Sequence, residues 1–190
     1  MMKLYQKTVK IEDGVSVEIS EDRIVKVKGP HASLERDFGH ARRINIIKDK
    51  NEIIIKANNS KKKVKALVGT VASHIKNMIK GAKDDFKVYL KIVYAHFPIN
   101  VKIQNNKVLI ENFLGERAPR IAKIIGKNTK IEVVKDDVIV SGPDIEAVTQ
   151  TAANITLATR IKNKDPRIFQ DGIYKYKKYY GDKIIWELKL

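Results

Sequence analysis

A chain of 190 residues with 38 Lys and Arg against 22 Asp and Glu carries a formal charge of +16, so it attracts polyanions from a distance. Hydrophobic residues make up 43%, enough for one or two packed domains and too many for a disordered basic protein, while the absence of cysteine excludes disulfides and thiolate chemistry. The N-terminal MMKLYQKTVKIEDG lacks the apolar run of a secretion signal and no segment reads as a membrane-binding helix, so a cytoplasmic setting without a membrane partner is expected.

From the N-terminus, apolar residues alternating with charged ones predict strands with one buried face. A first strand carries Tyr5, Lys7 and Val9, turns at Gly14, and is followed by a second through Val15, Val17 and Ile19. The polar turn Ser20 to Asp22 leads into a third strand at Ile24. A hairpin follows, with Ile44, Ile46 and Ile47, the turn Lys48 to Asn51, and Ile53 to Ile55. Val64, Leu67, Val68, Val71, Ile75, Met78 and Ile79 fall three and four apart and predict a helix, with Gly81 as its left-handed stop. Lys61, Lys62, Lys63 and Lys65 crowd the start of that helix, where the macrodipole favours acids. They are nominated as a second RNA contact, beside the alternative of a solvent-facing lysine turn.

The second half repeats this plan at an offset of 84 residues, with Tyr89, Lys91 and Val93, a turn at Pro98, then Ile99, Val101 and Ile103. The turn Gln104 to Asn106 precedes Val108, and Ile131, Val133, Val134, Lys135 to Asp137 and Val138 to Val140 form the matching hairpin. Ile145, Val148, Ala152 and Ile155 make the second helical stripe, with Pro143 and Asp144 at its start. The fold class is therefore α+β, a tandem duplication of a small domain of antiparallel β-sheets covered by one α-helix, plus a basic C-terminal extension. The expected segments are 1–82, 83–159 and 160–190, with the central boundary near Ala82 to Asp85.

Nothing in the first half corresponds to the run from Arg160 to Tyr180, RIKNKDPRIFQDGIYKYKKYY. Spaced cations neutralise phosphates, and aromatic or guanidinium planes stack on unpaired bases, a mixture that suits single-stranded or irregular RNA. The alternative is a solvated Lys-rich tail whose tyrosines cover the domain. As an addition to a duplicated scaffold, the extension is expected to be dispensable for the core. Residues before Gly181 are assigned mainly to binding, and those after it, with Ile184, Ile185, Trp186 and Leu188, mainly to a strap across both domains.

No catalytic or metal-ligating residue and no cofactor can be nominated. His31, His40, His74 and His96 lie outside any metal-ligand spacing, no glycine-rich phosphate cradle occurs, and the carboxylates read as solvated counter-charge. Ile124 to Thr129, IIGKNT, echoes the glycine loop of KH domains, yet Thr129 replaces the second glycine and the match is read as a coincidence.

Four segments carry a resemblance: YAHFPINV (Tyr94 to Val101), ENFLGERAPR (Glu111 to Arg120), TAANI (Thr151 to Ile155) and RIKNKDPRIFQDGIY (Arg160 to Tyr174). The chain resembles the universal large-subunit ribosomal protein family, L six in bacterial naming and L nine in eukaryotes, in its archaeal and eukaryotic branch with an archaeal leaning. The resemblance covers nearly the whole chain, duplication included. It implies a non-enzymatic structural role, binding large-subunit rRNA near the stalk base, the sarcin–ricin loop and the subunit interface. It also implies neighbouring large-subunit proteins as partners, no small-molecule substrate and no homo-oligomer. The family's RNA-contacting motif maps onto Arg160, Lys162, Asn163, Lys164, Asp165, Pro166, Arg167, Phe169, Gln170, Gly172 and Tyr174, and charge extends the set to Lys175, Lys177 and Lys178. Phe169 is expected to anchor the segment to the domain, and Gly172 to permit a turn or a close backbone approach. After Tyr176 the tail KKYYGDKIIWELKL matches no family pattern. The competing readings are a free nucleic-acid-binding protein or RNA chaperone, and an RNA-directed enzyme for which no acid–base pair is found.

Overall fold

The computed structural model describes residues 5–59 and 61–188. The chain divides into two compact units, Met1–Asp84 and Asp85–Leu190. In unit one, β1 (Gln6–Lys10), β2 (Ser16–Ile19), β3 (Ile24–Lys28), β4 (Ser33–Asp37), β5 (Ile44–Asp49) and β6 (Glu52–Ala57) precede α1 (Lys62–Lys83). They form two antiparallel three-stranded sheets, ordered β1-β6-β5 and β2-β3-β4. Because strand side chains alternate, Val17, Val25 and Val27 point inward from one sheet and Ile44, Ile53 and Ile55 from the other. The α1 stripe of Val64, Val68, Val71, Ile75 and Ile79 closes the core around Phe38.

Gly81 does not stop α1, which runs on to Lys83; Gly81 is buried within the helix and is not among the glycines of positive φ. The reason is tertiary. Ala82 is fully buried, and its carbonyl accepts the N–H groups of His31 at 3.1 Å and Ala32 at 3.3 Å. Extra helical length therefore delivers an acceptor to the β3–β4 turn, and the stop falls to Asp84 in extended conformation. The backbone of Gly29 passes so near that a Cβ there would lie 2.3 Å from the Ala82 carbonyl oxygen, so only glycine fits.

Unit two repeats the order with β7 (Phe86–Val93), β8 (Asn100–Gln104), β9 (Lys107–Glu111), β10 (Arg120–Lys123), β11 (Lys130–Val134), β12 (Asp137–Gly142) and α2 (Ile145–Ala158). The Asp144 side chain caps α2 by accepting the Glu146 N–H at 2.9 Å. Two strands then follow that unit one lacks, β13 (Gly172–Tyr180) and β14 (Lys183–Glu187). The sheets run β10-β9-β8 and β11-β12-β7-β13-β14.

The C-terminal extension, expected to lie outside the core, takes part in it. β13 lies antiparallel along the outer edge of β7, from Gly172 opposite Val93 to Tyr180 opposite Phe86. Ile173 is fully buried in the unit-two core, and its N–H donates to the Thr159 hydroxyl at 3.1 Å. Residues after Gly181, expected as a strap, instead form β14, which pairs with β13 and leaves Ile184, Ile185, Trp186 and Leu188 exposed. An open β7 edge beside a half-covered core explains why the added strand is used structurally.

Ile173→Ala should destabilise unit two by about 2–5 kcal/mol, the usual cost of deleting a buried aliphatic side chain. Urea unfolding of the full chain measures this, and an unchanged midpoint would show that β13 contributes nothing to the core.

Candidate nucleic-acid interface

The irregular segment between α2 and β13 carries four of the seven cations nominated in the C-terminal run. Arg160, Lys162, Lys164 and Arg167 are all exposed, as are Asn163, Asp165, Pro166 and Gln170. Three sets of contacts hold the backbone beneath them.

The first is Arg120 on β10, whose Nη1 donates to the carbonyls of Ala158 at 3.0 Å and Arg160 at 3.2 Å. Its other nitrogens grip Glu116 at 2.9 and 2.6 Å, and its guanidinium lies 4.2 Å from the centre of the Phe113 ring. The Arg120 hydrogen bond holds the Glu116 carboxyl below its ordinary value. The second set is the loop's own turn. The Asp165 side chain accepts the Arg167 N–H at 2.9 Å, and its carbonyl accepts from Ile168 at 3.2 Å and Phe169 at 2.9 Å. Asn163 takes a left-handed φ of 58°, a region that asparagine tolerates.

The third set sits where the loop rejoins the sheet. Phe169 stacks on His96 with ring centres 4.6 Å apart and planes 12° from parallel, and the Lys164 ammonium lies 4.5 Å above the Phe169 ring. His96 Nδ1 is 2.6 Å from Asp171, whose carboxylate also accepts the N–H groups of Ala95 at 2.8 Å and His96 at 3.1 Å. Asp171 is only 2% exposed. Burial pushes its carboxyl up, but the Ala95 N–H, the His96 ring and the His96 N–H together outweigh that and leave it below its ordinary value. Gly172 allows a close approach, since a Cβ there would sit 2.8 Å from the Tyr174 ring, and the Tyr174 hydroxyl donates to the Gln170 carbonyl at 3.1 Å.

The remaining nominated lysines lie elsewhere. Lys175 and Lys178 stand opposite Leu90 and Val88, hence on the α2 side of the sheet, whereas Lys177 stands opposite Tyr89 on the other side and pairs with Glu187 at 2.7 Å. An irregularity between Lys175 and Lys177 places Tyr176 so that its hydroxyl donates to Asp137 at 3.1 Å. Tyr179 packs on Tyr89 at 5.1 Å and Tyr180 on Phe86 at 5.2 Å, so these rings cover the sheet. Lys61, Lys62, Lys63 and Lys65 are exposed in unit one at the start of α1, with no acid in its first turn and no side-chain cap. Gly126 turns at φ 85°, and the adjacent Ile125 N–H donates to Thr151 of α2 at 2.9 Å, so the IIGKNT segment is a packing turn.

Sequence reasoning did not nominate Arg120, His96 or Asp171. The spacing of Glu116 and Arg120 was a readable hint of an ion pair, but nothing local joins His96 to an aspartate 75 residues away. Among the described residues no group of His, Asp and Glu is arranged to hold a metal ion, and no helix is long and apolar enough to cross a membrane.

A duplicated antiparallel scaffold that presents a braced, cation-rich loop is of a class suited to holding a polyanion. Comparison with known proteins narrows the class to a family. The family profile described as Ribosomal protein L6 matches the chain twice, over residues 11–85 and 97–172, one match for each repeat. A protein of Staphylothermus marinus named large ribosomal subunit protein uL6 is 52% identical over 170 residues, covering 88% of this chain and 91% of its own length. Proteins of the same name from Aeropyrum pernix and Methanosarcina mazei are 50% and 48% identical, covering 90% and 92% of this chain and 92% and 97% of their own. The chain belongs to the ribosomal protein L6 family.

The depressed Asp171 carboxyl has a consequence for stability. Its contribution is complete above the unfolded value of about 3.9 and is lost as the pH falls through the lower folded value. Asp171→Asn should therefore be less stable than the wild type near neutral pH, with the gap closing as the pH drops below about 3.9. Urea unfolding across that range measures it; a gap independent of pH would show that the carboxylate charge does not hold the loop.

Proposed function

We propose that this chain is a structural constituent of the large ribosomal subunit, where its 160–167 loop grips large-subunit rRNA and helps shape it near the stalk base, the sarcin–ricin loop and the subunit interface. It works in the cytoplasm as part of that particle, supporting translation beside neighbouring large-subunit proteins. The lysines at the start of α1 supply a second set of phosphate contacts from unit one.

The observation that carries this reading is a loop with its polar backbone bonded inward and its cations aimed outward. Arg160, Lys162, Lys164 and Arg167 are exposed, while Arg120, Asp165 and the His96–Asp171 pair fix the backbone between them. Such a loop loses little further conformational freedom when RNA docks, so more of the phosphate attraction appears as affinity. Phe169 and Tyr174 serve as anchors in this reading, since both are engaged with the domain.

Two measurements test it. The chain should sediment with large subunits and remain with them through a high-salt wash; a chain found mainly free in lysate would end the proposal. Lys162→Ala should weaken binding to a large-subunit rRNA fragment and lower the slope of log K against log salt by roughly 0.7 to 0.9, the counterion release of one phosphate contact. An unaltered slope and affinity would remove Lys162 from the interface.

A further inference from the structure

The β13–β14 hairpin presents a surface that the RNA reading does not use. Ile185, Trp186 and Leu188 are 54%, 39% and 51% exposed, and Leu157 of α2, across a groove from the hairpin, is 60% exposed, whereas Ile184 stands opposite Tyr179 on the other face. The groove has a volume of about 590 Å³ and is lined by Ala153, Thr156 and Leu157 of α2, Lys175 of β13, and Leu188. Among the described residues no strand pairs with the outer edge of β14, KIIWE, whose two charges, Lys183 and Glu187, stand at its ends and leave Ile184, Ile185 and Trp186 between them. The family profile match ends at residue 172, at the start of β13.

The charges on the groove side are of one sign. Lys175 and Lys178 share that face, the Lys175 ammonium lies 4.9 Å from the centre of the Trp186 ring, and Trp186 stands opposite Lys178. Burial and the Lys175 charge hold the Lys178 amine below its ordinary value. Among the described residues no carboxylate pairs with either lysine, whereas Lys177, on the opposite face, has Glu187.

We infer that the groove between α2 and the β13–β14 hairpin is a protein-docking site, occupied by an acidic, apolar-rich segment of a neighbouring large-subunit protein whose carboxylates meet Lys175 and Lys178. The inference rests on the large-subunit reading, because the partner is sought in that particle. Exposed aliphatic and indole surface of this kind marks a protein contact, and RNA has no matching apolar surface to cover Leu157, Trp186 and Leu188. A second copy of this chain docked groove to groove would bring Lys175 and Lys178 against their own counterparts, a like-charge contact that disfavours it. Carboxylates flanked by apolar side chains satisfy both the groove and the lysines, which reassigns Lys175 and Lys178 from RNA to protein.

The test uses the full chain carrying Trp186→p-benzoylphenylalanine, or Leu188→p-benzoylphenylalanine as a second probe, assembled into large subunits. Sedimentation before irradiation scores the large-subunit reading separately; a wild-type chain that stays outside the particle overturns both proposals. On irradiation the expected product is a crosslink to a segment of another subunit protein rich in Asp, Glu and apolar residues. Its yield should fall about fivefold or more when Lys175→Glu and Lys178→Glu are added, as for the loss of a close charge pair. Leu157→Ser, at an exposed position, should likewise lower the yield while leaving the salt slope of rRNA-fragment binding unchanged. A crosslink to rRNA, a crosslink to a second copy, no crosslink within assembled subunits, or a changed salt slope for Leu157→Ser would overturn the inference.

Discussion

The antiparallel pairing of β13 with β7 is the contact on which the rest of unit two depends. It places Ile173 in the core and brings Gly172 level with Val93, a register that sets where the preceding loop must end. The loop begins at the end of α2, and the hydrogen bond from the Ile173 N–H to the Thr159 hydroxyl holds its two ends together. Closing that loop is therefore a by-product of folding the sheet, and the chain entropy involved is not lost again when a ligand arrives. The same strand carries β14, so the hairpin beside the proposed docking groove is positioned by the pairing that positions the 160–167 loop.

Unit one shows what the duplicated scaffold does without that strand. Its β1 corresponds to β7, yet among the described residues no strand lies along the outer edge of β1, which is marked by Lys7 and Lys10. Lysines on an open edge discourage pairing with other chains. One repeat thus protects the edge with charge and the other with an added hairpin, and only the second solution yields a loop closed at both ends. The hairpin moves the exposed edge outward to β14, where Ile184, Ile185 and Trp186 lie between Lys183 and Glu187.

The repeat, the two hairpins and both helical stripes could be read directly from residue spacing, because each depends on local alternation or on a three-to-four periodicity. Three features could not. β4 has Leu34 as its one apolar residue, and β10 exposes Ile121 while burying Ala122, so neither displays the expected pattern. β13 buries only Gly172 and Ile173, and its run of Lys and Tyr reads as a solvated tail until its partner strand is known. The end of α1 is decided by where the Ala82 carbonyl is needed, which local glycine preference does not encode. Within the interface, the residue types of the loop were readable, but its braces at Arg120, His96 and Asp171 come from distant parts of the chain.

The excess of cations therefore does not translate one for one into RNA contacts. Lys164 lies over Phe169 and Lys175 over Trp186, each worth on the order of 1 kcal/mol or less at an exposed site, and Lys177 lies beside Glu187 in a solvent-screened pair. The Lys164 contact is weak enough to be exchanged for a phosphate, so it orients that side chain without sequestering it. Readout of base edges is more restricted. The Gln170 amide donates to the Arg167 carbonyl at 3.3 Å and the Tyr174 hydroxyl to Gln170 at 3.1 Å, whereas Asn163, exposed at its left-handed turn, has no hydrogen bond to the described residues. In the proposed role the loop has one uncommitted amide among several cations, a composition suited to recognising the fold of an RNA backbone and poorly suited to spelling out its sequence.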